Sequence, residues 1–159
     1  MAAPSPTARV APTGIMLQDG YSTKIAFSRD TNFSIWERTV KPPGIDGMDQ
    51  IDISTMHNVE WKTFAPRNLK QLSECTIVAG LDPTARTDAI NNLLNQEGTV
   101  TCHYPDGTSD AFYGYLKSME PNEHSEGSLP EVTCTIVPTQ WDVTNRVEAG
   151  PVLTAVSGT

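Results

Sequence analysis

Positive charge is scarce in this chain: 11 Lys and Arg stand against 19 Asp and Glu over 159 residues, a formal charge of −8. That balance excludes a surface that grips nucleic acid, which normally shows a basic patch releasing counterions from phosphate. DNA could be handled only by repulsion. Cysteine is sparse too. Cys75, Cys102 and Cys134 form no CxxC pair, are odd in number, and each lies in an apolar or alternating run. They read as buried, reduced thiols. No apolar run approaches membrane-spanning length, and the opening MAAPSPTARVAPTG has proline and polar residues where a signal peptide needs an apolar stretch. The expectation is a protein made in the cytosol, with no membrane association. The sequon Asn32-Phe33-Ser34 is accordingly read as accidental. There is no GxSxG, no HExxH and no Gly-rich phosphate loop opening a helix.

What is present is strand pattern. One domain fits this length. Residues 1–22 carry three of the twelve prolines without apolar periodicity, so they are expected to form an N-terminal arm that does not fold alone. Domain pattern runs over 23–140. TKIAFS (23–28) and FSIWERTV (33–40) alternate as strands around the turn RDTN. Strand pattern resumes at VEWKTF (59–64), continues in QLSECTIVA (71–79), and ends with the pair 99–104 and 109–119 around PDGT and then EVTCTIV (131–137). One helix is expected over about 83–97, with Asp82 as N-cap, Pro83 in its first turn, Gly98 just past its end, and Ala89, Ile90, Leu93 and Leu94 as its apolar stripe. Residues 141–159 are small and polar and are expected to trail as a C-terminal arm. The fold class is mostly antiparallel β with one helix, sandwich or barrel-like, with six or seven strands.

The feature that raises a functional question is the connection 41–58, KPPGIDGMDQIDISTMHN. It is about eighteen residues long, and compact domains rarely keep such a loop without a use in binding or in contact between subunits. Chemistry is the first possibility. Asp46, Asp49 and Asp52 fall at every third position, whereas a calcium loop places oxygen ligands at every second with a closing glutamate. His57 has no neighbouring nitrogen or sulfur ligands for zinc. A solvated acidic loop is the better reading, and no metal, cofactor or catalytic residue is assigned. Contact is the other possibility. Pro42 and Pro43 stiffen the loop, and Ile45, Met48, Ile51, Ile53 and Met56 offer apolar anchors between the acids. His57 and Asn58 are expected to fix its base by hydrogen bonds. Trp36 and Trp61, which would face each other if their strands paired, are read as core rather than as a sugar platform.

TKIAFS, the tryptophan of FSIWERTV, PPGIDG, TMHN, WKTFAPRNLK and YGYLKSMEPNEHSEGSLPEVTCTIVPTQWDV together resemble the major tail (tail tube) proteins of long-tailed bacteriophages, over about residues 20–143. The resemblance implies a β-sandwich with a flanking helix, whose subunits form six-membered rings stacked into a hollow tube, with sheets from the six subunits lining the lumen. It implies no enzymatic activity. It also implies a place in the virion, partners in a tape measure protein, a tail terminator and distal tail proteins, and DNA only in transit. The long loop would then reach the neighbouring ring. Glu37, Glu60 and Glu74, on the wetter sides of strand candidates, become candidate lumen-facing acids that would repel phosphate, with Arg38 and Lys62 as their possible pairing cations. Two other classes stay open on the residues alone: a monomeric β-sandwich binding sugar or calcium, and an enzyme with a cysteine nucleophile. Size in solution separates the first, and fast thiol labelling would mark the second.

Overall fold

The computed structural model describes residues 23–105 and 107–154. The expected N-terminal arm, 1–22, lies outside them. In chain order the elements are β1 (Lys24–Phe27), β2 (Trp36–Lys41), β3 (Ile45–Asp46), β4 (Ile51–Asp52), β5 (Phe64–Ala65), β6 (Gln71–Leu72) and β7 (Cys75–Gly80). The helix α1 (Pro83–Asn92) follows, then β8 (Gly98–His103), β9 (Ser109–Pro121), β10 (Glu131–Pro138), β11 (Trp141–Asp142), β12 (Val147–Glu148) and β13 (Val152–Thr154).

The main sheet runs β1-β8-β9-β10-β7-β2, with β13 added beside β9, and its pairings are antiparallel. Strand β9 is shared. Its first half pairs with β8 and its second with β10, the handover falling at Gly114, which is opposite Gly98 on one side and Pro138 on the other. A Cβ at Gly114 would lie 2.6 Å from the Val137 carbonyl oxygen, so only glycine lets β10 approach there. The sheet curls until its ends meet: the Ile25 N–H of β1 donates to Glu37 Oε1 of β2 at 3.1 Å. Side-chain closure of this kind satisfies one backbone donor on the β1 edge that would otherwise be open to other chains.

Alternation fills the interior. Cys75, Ile77 and Ala79 of β7, Val100 and Cys102 of β8, Phe112 and Leu116 of β9, and Val132, Cys134 and Ile136 of β10 all point inward and are buried. Cys75 and Cys102, from strands that are not neighbours in the sheet, are in hydrogen-bonding contact across the core. All three thiols are free and buried, as their surroundings in the sequence predicted. The contact with Cys102, and burial after it, pushes the Cys75 thiol up, and burial pushes Cys134 up to about 11. The same contact holds the Cys102 thiol below its usual range, but Cys102 is fully buried, and all three thiols are enclosed.

Helix α1 begins as expected. The Asp82 carboxylate accepts from the N–H groups of Thr84 (3.0 Å) and Ala85 (3.4 Å). It ends early, at Asn92, because Asn95 turns left-handed (φ 58°) and its N–H bonds the Leu116 carbonyl, and Gly98 opens β8 rather than capping the helix. The buried stripe is Ala85, Ala89 and Leu93, and Ile90 faces outward.

Three strand expectations change. The second strand starts only at Trp36, because Phe33 turns in to stack edge-on against Phe27 (centroids 5.6 Å apart). A bulge between Glu37 and Thr39 then breaks its alternation, so that Val40 rather than Thr39 packs on the core. The run 71–79 is cut at Ser73, whose N–H donates to the Gly44 carbonyl while its hydroxyl accepts the Gly44 N–H. The run 59–64 is not a core strand at all. Nor does the chain trail over 141–154, the described part of the expected C-terminal arm, residues 155–159 lying outside the described ones. β11 and β12 form a hairpin, and β13 pairs with Ser109–Ala111 of β9.

Candidate functional site

Between β2 and β7 the chain builds a long double-stranded arm instead of a loop followed by a strand. β3 pairs with β6 at its base and β4 with β5 further out, so the structured excursion runs from about 42 to 74. Local polar chemistry explains why it forms. The Asp46 carboxylate accepts the Met48 N–H (2.8 Å) and Asp52 accepts the Ser54 N–H (2.9 Å), so both aspartates close turns in their own limb. The Ser54 bonds hold the Asp52 carboxyl below the usual carboxylate range. Asp49 contributes its carbonyl, which accepts from Arg67 Nε at 2.8 Å and ties the two limbs together. At the tip, Asn58 Oδ1 accepts the Thr55 N–H and Nδ2 donates to the Trp61 carbonyl at 2.7 Å. His57 bonds Thr55 Oγ1 through its backbone N–H, so Asn58 does the fixing expected of the pair.

Apart from Leu72 at its root, the large apolar residues of the arm find no core. Ile45, Met48, Ile51, Ile53 and Met56 on the outgoing limb and Val59, Trp61, Phe64 and Leu69 on the return limb are all exposed. Scattered surface apolar residues are ordinary, but nine exposed along one projection are more than a scatter. Pro42 and Pro43 stand at its root. Sequence reasoning found the outgoing limb and missed the return limb, because Val59–Phe64 has the composition of a core strand.

Trp36 and Trp61 are the clearest correction. Both are exposed, at 74% and 78%, and they sit at opposite ends of the molecule, so they are neither core nor one sugar platform. Of the three acids proposed for a lumen, Glu60 and Glu74 are exposed, but Glu37 is half-buried, closes the sheet through Ile25 and lies close enough to Cys134 to raise it. The pairings differ from those expected: Arg38 pairs with Glu131 rather than with one of these acids, and Glu74 pairs with Lys117 at 3.4 Å rather than with Arg38 or Lys62. Among the described residues no three His, Cys, Asp or Glu side chains converge in a metal-binding cluster, and no helix is long and apolar enough to cross a membrane.

The base of the arm borders the C-terminal segment. A recess of about 690 Å³ lies between them, lined by Ile45, Leu69, Leu72, Pro151 and Leu153 among others. Asp142 sets the path of that segment. Its buried carboxylate accepts the N–H groups of Thr144 (3.0 Å) and Asn145 (3.2 Å) and the Asn145 side-chain amide (2.8 Å), and these bonds, Asn145 first, hold its carboxyl below the ordinary value. A depressed carboxylate stabilises the fold fully above its unfolded pKa of about 4, and that contribution is lost as pH falls through the lower folded value. Asp142→Asn is therefore expected to lower the urea midpoint at pH 7, with the gap to the parent narrowing steadily below pH 4. A gap that stays constant to pH 2 would show that ionisation is not the cause.

No protein-family model matches the chain, and no curated protein matches it in sequence. Solved structures do resemble it. One is a chain of the anti-feeding prophage (AFP) baseplate, 6-fold symmetrised, with TM-score 0.56 and 11% identity, covering 78% of this chain and 94% of that one. Another is a chain of the tail of the empty GTA particle, from helical refinement with C6 symmetry, with TM-score 0.58 and 9% identity, covering 87% of this chain and all (100%) of that one. At such identities the likeness is one of fold: mostly antiparallel β in a curled sheet with a single short helix.

Proposed function

We propose that this chain is a non-enzymatic structural subunit of a phage-tail-like particle, forming six-membered rings that stack into a hollow tube for DNA. The observation that carries the reading is the arm, a hydrogen-bonded projection with large apolar residues exposed along both limbs. The fold shared with chains of a 6-fold baseplate and a C6 tail supports the ring number. An arm of this kind acts between rings, and head-to-tail contact of unlike surfaces propagates along an axis while rotation closes each ring. The tape measure, tail terminator and distal tail proteins are the partners this role requires, and the virion is its place.

The channel wall in this reading is the outer face of β2, β7, β10 and the second half of β9. Its small hydroxyl residues, Thr76, Thr133, Thr135 and Ser118, are half-buried and present no charge. Arg38 and Lys117 at its margins are engaged by Glu131 and Glu74. Such a wall offers passing phosphate few sticky cations. Negative-stain microscopy of the purified protein over a concentration series, with and without a tail initiator complex, is expected to show six-fold rings or hollow tubes. Small uniform particles under every condition would overturn the reading.

A further inference from the structure

The arm and the loop joining β9 to β10 lie at opposite poles of the subunit. Strand β7 runs between them: the arm enters at Cys75, while Gly80 at the other end is opposite Trp36 of β2 and Glu131 of β10. Five residues of strand separate these positions by about 17 Å. On the polymer reading given above, we infer that this far pole is the socket for the return limb of another copy's arm, with Trp36, Leu129 and the glutamates of the 120–131 loop as its contacts.

Charge identifies the occupant. Residues 120–131 hold Glu120, Glu123, Glu126 and Glu131 and no Lys or Arg. The return limb, 59–72, is the reverse, with Lys62, Arg67 and Lys70 against Glu60 alone, whereas the outgoing limb 42–54 carries only acids. An arm offering its return limb to the glutamate loop thus pairs opposite signs, whereas return limb against return limb or loop against loop does not. Complementary potentials of this sort orient an encounter and reject wrong registers.

Apolar shape agrees. Trp36 and Leu129 are both strongly exposed, at 74% and 60%, although they stand over a folded sheet. Between them lies Gly80, where a Cβ would sit 3.6 Å from Trp36 Cβ and 3.9 Å from a Leu129 methyl, so the two apolar groups flank a strand position that carries no side chain. Val59, Trp61, Phe64 and Leu69 on the limb are the matching exposed knobs. The socket is also held in shape before contact. The Leu81 N–H donates to the Pro130 carbonyl (3.0 Å), the Asn122 N–H to the Glu131 carbonyl (2.9 Å), and the Thr133 hydroxyl to Asn122 Oδ1 (2.9 Å). An exposed tryptophan on a preformed surface ringed by charge is a common composition of a binding hot spot.

The test is a charge exchange read by sedimentation velocity. K62E/K70E reverses the limb while leaving Arg67 bonded to Asp49, and E120K/E123K/E126K reverses the socket while leaving Glu131 paired with Arg38. Each variant alone is expected to self-associate at least roughly tenfold more weakly than the parent. An equimolar mixture is expected to recover association, because the reversed limb of one meets the reversed loop of the other and the remaining pair is native. Trp36→Ala should weaken association in parent and mixture alike. Full association of both single-sided variants, or two failures that mixing does not repair, would overturn the socket while leaving the polymer intact. A parent that never associates would instead remove the polymer reading and the socket with it.

Discussion

Replacing residues 46–71 with a short Gly/Ser turn is expected to give a folded, soluble subunit that forms neither rings in stacks nor tubes at any concentration. The cut keeps Ile45 and the buried Leu72 at the root and removes the projection, whose large apolar residues contribute nothing to the core. Loop closure entropy depends only weakly on length, so shortening the excursion leaves folding close to neutral or slightly favoured. The thermal midpoint should therefore stay within a few degrees of the parent. Assembly is another matter. Burying a side chain such as Ile, Phe or Trp contributes about 1.5–3 kcal/mol, and the deleted segment carries several of them. Even after the entropic cost of association, losing that surface removes the affinity of an inter-ring contact. Microscopy and sedimentation on the same sample check both halves of the expectation. Tubes built by the folded deletion variant would end the arm's claim to be the stacking element.

Phe112→Ala is expected to do the opposite, destroying folding without touching any proposed interface. Phe112 is 2% exposed at the middle of the core, on the half of β9 that pairs with β8, two residues before the handover at Gly114. It is the largest of the fully buried side chains. Truncating a buried phenylalanine costs about 3–5 kcal/mol in lost transfer energy and cavity formation. Against a total stability of about 5–15 kcal/mol for a domain, that is a large share. Collapse around the void is limited, because the Gly98–Gly114–Pro138 alignment and the Glu37–Ile25 bond hold the curled sheet to one radius. Denaturant unfolding should show the loss directly. A midpoint shift under about 1 kcal/mol would mean that the core repacks freely, against the close-packed interior described above.

Much of the domain was legible in the sequence because it depends on near neighbours. Asp82 followed by Pro83 announced the helix start, and both are local hydrogen-bond and dihedral effects. The strands β1, β7, β8, β9 and β10 could be read because a period of two marks any strand with one face on the core. Their cysteines were read as buried for the same reason. The misreadings also have physical causes. Val59–Phe64 has the residues of a strand, yet whether such residues are buried depends on where the chain has gone before them. The bulge at Arg38 shifted parity, and nothing in FSIWERTV announces an extra residue against β7. Helix α1 stopped at Asn92 because the Leu116 carbonyl, distant in sequence, takes the Asn95 N–H.

The candidate site divides in the same way. The outgoing limb, with its prolines, acids and isoleucines, stood out as an unusually long connection, and the spacing of its aspartates did not fit a calcium loop. Its true partner within the arm, the basic return limb, was hidden inside a segment that looked like core. Trp36 was misplaced because a tryptophan in an alternating run is buried on one face and exposed on the other, and only the bulge and the register against Gly80 decide which. By itself the sequence determined the charge, most of the core strands, the helix start, the buried cysteines and a long proline-containing connection with apolar residues between acids, since each follows from composition or from contacts a few residues apart. Only the tertiary structure decided that β9 serves two halves of one sheet, that β1 and β2 meet through Glu37, and that arm and glutamate loop stand at opposite poles. Those are relations between residues far apart in the chain, settled by how the whole curled sheet buries its core.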